Sequence, residues 1–534
     1  MGEVFLRKAT GLVREASLFD VLSLFVMWGG PTMGVYYLAT WGLWCAPLGD
    51  WYIALLISSI FLVGAGLCWA FMATTMPRSG GDYVFTSRII HPGVGFAISV
   101  GSVLGMLGWY WMLAAWVPEY SLPTLLEALG HPEFTEFLWR PEVTFIISSI
   151  IMLSCVIISI FGSKWVFRVM DICFILSTLS LVVTWGVLLS VGHEGFVQAW
   201  NSFVAEYGSP LTYESLKDLA NNYALETYGY SIIGPTNFYH TLLLIPAIWW
   251  TFAYVAGPGW IAGEVKEVRR NMILGYLLGI AYYVGCFFIS LIIIDNVIGR
   301  EWMAAAAYAM EMSEWKDYLP ISEANYILFA SICTDNPILK FLMGINFTPV
   351  CYAWVLQSAG ITPRALVAWS MDRVMPSWLA DVHPKWRTPH KAIIAFWIIA
   401  EICLVGYVMF PGILGSLVVI VWENLSSFLA IALCCILLPY LKKVRHIWDA
   451  SPVKWRIAGI PVMVITGVIY IIAIFTTTYF FLAHPELGEY HPPSFLGLAT
   501  FALIGLIGWY VAKWYRKKTL GIDISEAYKE IPPA

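Results

Sequence analysis

Apolar stretches of about 20 residues, long enough to cross a hydrocarbon core as helix, recur along the whole chain. The pattern predicts about twelve spans. They cover roughly 18–40, 51–75, 93–117, 143–161, 166–191, 241–262, 272–295, 338–370, 391–410, 413–439, 456–482 and 494–514. Most polar intervals between them are short. Two are long, about 193–240 and 296–337, and each holds a helix-compatible, aromatic-rich stretch (215–226 and 301–316). Intervals of that length are often lids, and a solvated acidic cap is the equal alternative.

The first and sixth spans are interrupted by glycine and proline. One reads Phe25-Val26-Met27-Trp28-Gly29-Gly30-Pro31-Thr32-Met33-Gly34, the other Phe252-Ala253-Tyr254-Val255-Ala256-Gly257-Pro258-Gly259-Trp260. Lipid offers backbone groups no hydrogen-bond partner, so non-helical chain at membrane depth must be buried in protein or line a polar cavity. A single break is as readily a kink as a site. Two breaks five spans apart lie on helices of opposite orientation, the inverted arrangement that points to a substrate site near the midplane.

Composition sharpens the class. Of 534 residues, 59% are hydrophobic and 12% charged, against about 25% charged in soluble domains. Of the 30 Lys and Arg, only Arg140, Lys217, Arg300, Lys316 and Lys340 fall in intervals on one side. The positive-inside rule then puts both termini in the cytoplasm, as an even number of spans requires. No cleavable leader is read, because the polar start leads straight into the first span. Of the ten cysteines, Cys45 and Cys333 fall near the outer face, where two free thiols are favoured over a disulfide. Trp41, Trp44, Trp51, Trp200, Trp315, Trp378 and Trp448 sit near span ends, as an interfacial belt would place them.

Polar motifs follow the spans in a fixed order. Met76-Pro77-Arg78-Ser79-Gly80-Gly81-Asp82-Tyr83, Arg88 and His91-Pro92-Gly93 separate the second and third spans. Gly263-Glu264-Val265-Lys266 follows the sixth. Pro363-Arg364, Asp372-Arg373-Val374-Met375-Pro376 and His383-Pro384-Lys385-Trp386 follow the eighth. This set resembles the amino acid–polyamine–organocation (APC) permeases over about 20–390. The resemblance implies an all-α polytopic protein of the leucine-transporter type, with a 5+5 inverted repeat and discontinuous helices 1 and 6. It would comprise a cytoplasmic segment 1–17, a transmembrane domain 18–515 and a cytoplasmic tail 516–534. The repeats would cover about 18–191 and 241–439, with peripheral helices over about 456–514. The chain departs from the family wording in both breaks, with no Gly-Ser-Gly in the first and no Gly-Phe-Glu after the second.

From the breaks, the amides around Gly29, Gly30, Thr32 and Met33 are expected to meet a substrate carboxylate, helped by the half-helix dipole. Carbonyls around Tyr254, Val255 and Ala256 would take an ammonium, with Gly257 permitting close approach. The resemblance further implies a gate aromatic, Trp250 or Phe252, and a pocket-lining third span, from which Tyr110 or Trp109 would pack on substrate. Helix packing is the commoner role for each of those rings. Charges at membrane depth cost about 2.5–3.5 kcal/mol each on insertion scales. Glu423, in the polar run Trp422-Glu423-Asn424, is therefore the candidate proton-coupling group, with a structural acid as its alternative. Glu401 reads as a helix contact, and Asp171 as a partner of Arg168. Ser358 and Thr362 leave room for sodium. The glycines Gly101, Gly105 and Gly108 suit close helix packing.

No phosphate-binding Gly-rich loop, metal-ligand spacing or nucleophile–base pair stands out, so no enzyme, cofactor or metal is expected. No nucleic acid is expected either. The expected partners are an amino acid substrate, a proton and the lipid bilayer, and the expected location is the plasma membrane. The reading is proton-coupled import of an amino acid or related amine by alternating access. An exchanger, or a non-transporting nutrient sensor on the same scaffold, is the alternative. The lack of an acid in either break argues against a dicationic polyamine.

Overall fold

The computed structural model describes residues 12–410, 418–488 and 490–530. The chain before Leu12, the first residues of the expected tenth span and 531–534 lie outside the described residues. Among those described, twelve helices are long and apolar enough to cross a membrane. They are span 1 (Leu18–Cys45), span 2 (Trp51–Thr75), span 3 (Pro92–Ala128), span 4 (Pro141–Ile160), span 5 (Ser163–Glu206) and span 6 (Phe238–Trp260). After them come span 7 (Val268–Val297), span 8 (Pro337–Met371), span 9 (His390–Met409), span 10 (Val419–Leu437), span 11 (Val462–Ala483) and span 12 (Pro492–Leu520).

Local chemistry sets several ends. Ser17 and Asp20 close a capping box at the start of span 1, satisfying two otherwise orphaned amides. Asp50 Oδ1 accepts from the Tyr52 and Ile53 amides at 2.9 and 3.1 Å and starts span 2. Spans 1 and 3 run further than the hydrophobic pattern suggests. A π-helical turn carries span 1 through Leu38–Gly42, and another carries span 3 through Val117–Ser121, absorbing Pro118, which has no amide to give. Span 5 stays helical past 191 only by kinking at Gly192, whose φ is 63°. Span 11 starts six residues late because 456–461 forms a tight hairpin turning at Ala458 and Gly459, both with positive φ.

Spans 3 and 6 are the most enclosed and span 12 the least. Leu496, Leu503, Ile504 and Ile507 of span 12 are exposed, an apolar face suited to lipid. The glycines of span 3 admit span 10: a Cβ on Gly108 would run into Ile420, and one on Gly101 into the Glu423 carboxylate. Glu401 joins spans 4 and 9 by accepting from Ser149 Oγ and Trp397 Nε1, both at 2.8 Å. Asp171 does not pair with Arg168. It takes a hydrogen bond from Ser23 of span 1, and the Arg168 guanidinium lies over the Trp165 ring.

The two long intervals fold into one cap on the side away from the termini. Helices Tyr213–Tyr228 and Arg300–Ala309 pack there, with Tyr213 stacked on Trp302 at 5.4 Å. The Trp200 and Trp315 indoles donate to Leu211 O at 2.8 Å and Ile321 O at 3.0 Å. This corrects the interfacial-belt reading. Trp51, Trp200, Trp315 and Trp448 are buried, and of the seven named only Trp378 is largely exposed. Burying rings of this size supplies a core that the short apolar runs of the cap otherwise lack. Among the described residues neither Cys45 nor Cys333 forms a disulfide.

Candidate functional site

The first interruption is a single residue. Helix Leu18–Gly29 ends at Gly30 (φ 62°, ψ 65°), and a second helical piece, Pro31–Tyr37, begins at once. Only glycine takes that left-handed conformation without cost, and Pro31 supplies a first-turn residue that needs no amide partner. The second interruption is longer. Helix Phe238–Phe252 stops, 253–256 is non-helical, and a short helix Gly257–Trp260 resumes. The two breaks pack directly on each other. A Cβ on Gly257 would lie 2.5 Å from the Trp28 ring, and one on Gly29 2.5 Å from Thr251 O.

The backbone groups at the breaks are partly spent. Gly30 N donates to Val26 O at 3.0 Å, and Gly259 N to Ala256 O at 2.8 Å. Gln357 of span 8 donates to Met27 O at 3.0 Å, and Tyr283 of span 7 to Val26 O at 3.3 Å. Thr32 and Met33 head the second half-helix, where first-turn amides have no intrahelical acceptor. The Thr32 hydroxyl meets Ser177 Oγ at 3.1 Å.

Rings fill the space beside the breaks. Trp354 touches Trp28 (6.0 Å between centroids), Trp109 (5.5 Å) and Tyr254 (5.4 Å). From Trp109 the contacts continue through Trp116 and Trp250 to Tyr37 and Trp41. That chain of rings ends in the wall of a cavity of about 660 Å³ on the cap side. Tyr37, Trp41, Trp44, Trp116, Tyr120 and Trp250 line it, with Met33 of span 1 and the cap acids Glu311 and Glu323. Tyr36 donates to the Glu323 carboxylate, and burial holds that carboxyl above its ordinary range. A second void of about 20 Å³ lies between Tyr254, Trp250 and span 10, room for about one water.

The opposite side is closed. The Arg364 guanidinium donates to both Glu264 oxygens at 3.0 and 3.1 Å, and Ser79 and Ser163 donate to the same carboxylate at 3.1 and 2.8 Å. Arg88 forks onto Asp372 at 2.9 and 2.7 Å. The C-terminal segment seals this pair: the Arg88 guanidinium lies 4.8 Å from the Tyr528 ring, whose hydroxyl meets that of Tyr83 at 2.8 Å. All four charged side chains are buried. The connection between spans 2 and 3, the first residue of span 5, the 3-10 turn Ala262–Glu264 after span 6 and the end of span 8 are thereby tied into one plug.

A cavity thus opens on one side, an ion-paired plug closes the other, and the two broken helices meet between them. A family model described as amino acid permease matches residues 19–504. The chain belongs to the amino acid permeases of the APC superfamily. An uncharacterized transporter of Rhizobium meliloti (strain 1021) is 25% identical to the permease over 160 residues. That match covers 29% of the permease and 30% of the relative, so the chain spans less than a third of the relative's length.

The expected site residues separate into groups. Met33 and Trp250 line the large cavity, and Trp250 stacks on Tyr37 at 4.6 Å. Gly29, Gly30, Thr32, Tyr254, Val255, Ala256 and Gly257 gather at the break contact, all buried. Phe252 turns to span 7, against Phe287 at 4.9 Å and Tyr283 at 5.6 Å, so Trp250 is the ring that faces the cavity. Tyr110 points away from both breaks. It stacks on Phe396 at 5.8 Å and donates to Met152 O at 3.3 Å, leaving Trp109 as the span 3 ring beside Tyr254. Helical spacing alone cannot tell adjacent rings apart, because they diverge by about 100° around the axis.

Glu423 does not stand alone. Asp82, at the start of the helix Asp82–Ile89, accepts from Ser102 of span 3 at 2.5 Å and from Ser427 of span 10 at 2.6 Å. Ser427 is one turn from Glu423, and Gly101, against which Glu423 packs, precedes Ser102. Two carboxyl groups therefore share the seam of spans 3 and 10, each with one buried oxygen lacking a hydrogen-bond partner. Burial raises the Asp82 pKa, and its serine and backbone donors oppose that rise. In the sequence Asp82 reads only as part of a loop motif, with nothing local to set it beside Glu423. Glu264, Arg364, Arg88 and Asp372 were legible as motif residues, but their partners were not. Ser358 Oγ, Thr362 Oγ1 and Gln357 Oε1 are buried without hydrogen-bond partners.

Proposed function

We propose that this permease is a secondary active transporter that imports an amino acid or related amine by alternating access, coupled to protons. The observation that carries this reading is the direct contact of the two helix breaks between an open cavity and an ion-paired plug. Substrate enters from the cap side, displaces the Trp250–Tyr37 stack and settles where the helix halves meet. The amides of Thr32 and Met33 take its carboxylate, and carbonyls of the second break take its ammonium. Release requires Arg364–Glu264 and Arg88–Asp372 to part on the termini side, which the distribution of basic residues assigns to the cytoplasm. The first five and next five spans act as inverted halves around this point.

The Asp82–Glu423 pair is the proton site in this reading. Two buried carboxyls on one seam, with no ion-pair partner among the described residues, cannot both ionise cheaply, so the pair retains a proton until a rearrangement admits water. Flux into liposomes tests the whole. Saturable uptake of labelled amino acids driven by an imposed acid-outside gradient supports carriage, whereas binding without flux supports a sensor. Glu423→Gln should abolish gradient-driven uptake and leave counter-exchange intact. Gradient-driven uptake at the wild-type rate in that variant removes the coupling role.

A further inference from the structure

The large cavity has a chemistry that neither helix break supplies. Four indoles and three phenols stand in its wall, and its charged lining residues are the two acids Glu311 and Glu323. Among the described residues no Lys, Arg or His lines it. The Lys316 ammonium donates to the Glu311 backbone carbonyl at 2.8 Å. Arg300 donates to the carbonyls of Pro47 and Gly49 at 2.8 and 3.2 Å. Both acids are held in place by phenols rather than by cations. Tyr36 donates to Glu323, and Tyr223 and Tyr228 donate to Glu311. Among the described residues neither carboxylate forms an ion pair.

Ring faces carry negative potential and attract a cation most strongly when water is excluded. Carboxylates already oriented by phenols need no reorganisation to receive one. An anion entering the same space would meet two like charges and π faces.

We propose that this cavity is a recognition site for organic ammonium ions with an apolar body and no carboxylate. The ammonium sits between Glu311 and Glu323, and the body lies among Trp41, Trp116 and Trp250. The cavity thereby ranks ligands by charge, cation over zwitterion over anion, before any ligand reaches the breaks. The proposal rests on the transport reading only for the direction of entry.

Three near-isosteric probes test it on the purified full chain in detergent: radiolabelled 2-phenylethylamine, phenylalanine and 3-phenylpropionate. The amine should bind saturably, at least about tenfold tighter than the propionate, with the amino acid between them. Glu323→Gln keeps an acceptor for Tyr36 and Glu311→Gln one for Tyr223 and Tyr228. Each should weaken amine binding about tenfold and change phenylpropionate binding by less than that factor. Equal affinity for amine and propionate in the wild type, a comparison that needs no variant, overturns the proposal. So does amine affinity within twofold of wild type in the double variant. Amino acid flux without amine binding sinks this inference and spares the transporter. Charge-ranked binding without flux of any compound does the reverse.

Discussion

Two glycines show how the breaks depend on single atoms. Gly30 has φ 62°, and a Cβ there would lie 2.5 Å from Val350 Cγ1. Gly30→Ala therefore carries a left-handed backbone cost of about 1–2 kcal/mol plus a steric one. Gly257→Ala presses a methyl onto the Trp28 ring, an overpacking cost of about 1–3 kcal/mol. Both variants should lower the melting temperature in detergent and reduce uptake, with Gly257→Leu losing substrate binding outright; wild-type affinity in Gly257→Leu would move the site elsewhere. Asp82 yields a prediction in pH. Its folded pKa is raised from 3.8, so the native state binds more protons than the unfolded state between that value and the raised one. Stability conferred by the neutral acid is then present below 3.8 and lost as pH rises through the folded pKa. Asp82→Asn should flatten that slope and melt higher than wild type at neutral pH; parallel melting curves for the two proteins across pH 4–8 would refute it.

At the scale of elements, the plug joins segments that are far apart in the chain by two buried ion pairs. Removing one partner of such a pair leaves an uncompensated buried charge and costs about 3–5 kcal/mol. Glu264→Ala or Asp372→Ala should thus free the termini side, read as faster amide hydrogen exchange over 76–90 and 262–268 with the cap unchanged. Equal acceleration in the cap would mean global loosening instead. Arg88 Nε and Arg364 Nη1 are buried without partners, so the closed plug is incompletely satisfied. In the proposed transport cycle, that shortfall suits an element that opens and recloses. Tyr528 adds a cation–π contact worth about 0.5–2 kcal/mol. Tyr528→Ala should speed exchange around Arg88 alone and leave ligand binding in the cap-side cavity unaltered.

Across the whole molecule, one conformation is present, with the cap side hollow and the termini side shut. The alternating-access cycle proposed above also requires the reverse arrangement, and in that cycle the ring chain from Trp28 to Trp41 is the packing that shifts. Freezing the plug by crosslinking Ser79→Cys to Gly263→Cys should stop flux while preserving amine binding. Continued flux at the wild-type rate would show that this side need not open. The number, order and approximate limits of the spans were legible because lipid demands about 20 apolar residues per crossing wherever the chain goes. Both breaks were legible for a related reason: glycine and proline declare themselves locally, through allowed dihedrals and a missing amide. Partnership was not legible. Asp82 meets Ser427 across 345 residues and Glu323 meets Tyr36 across 287, and no local preference encodes such distances. The same holds for Tyr110, whose side of span 3 depends on where Phe396 packs. Sequence alone determined that this chain is a polytopic helical protein interrupted twice in its membrane. Tertiary packing alone decided which rings and acids face a common space, because side-chain chemistry is local but proximity is a property of the folded whole.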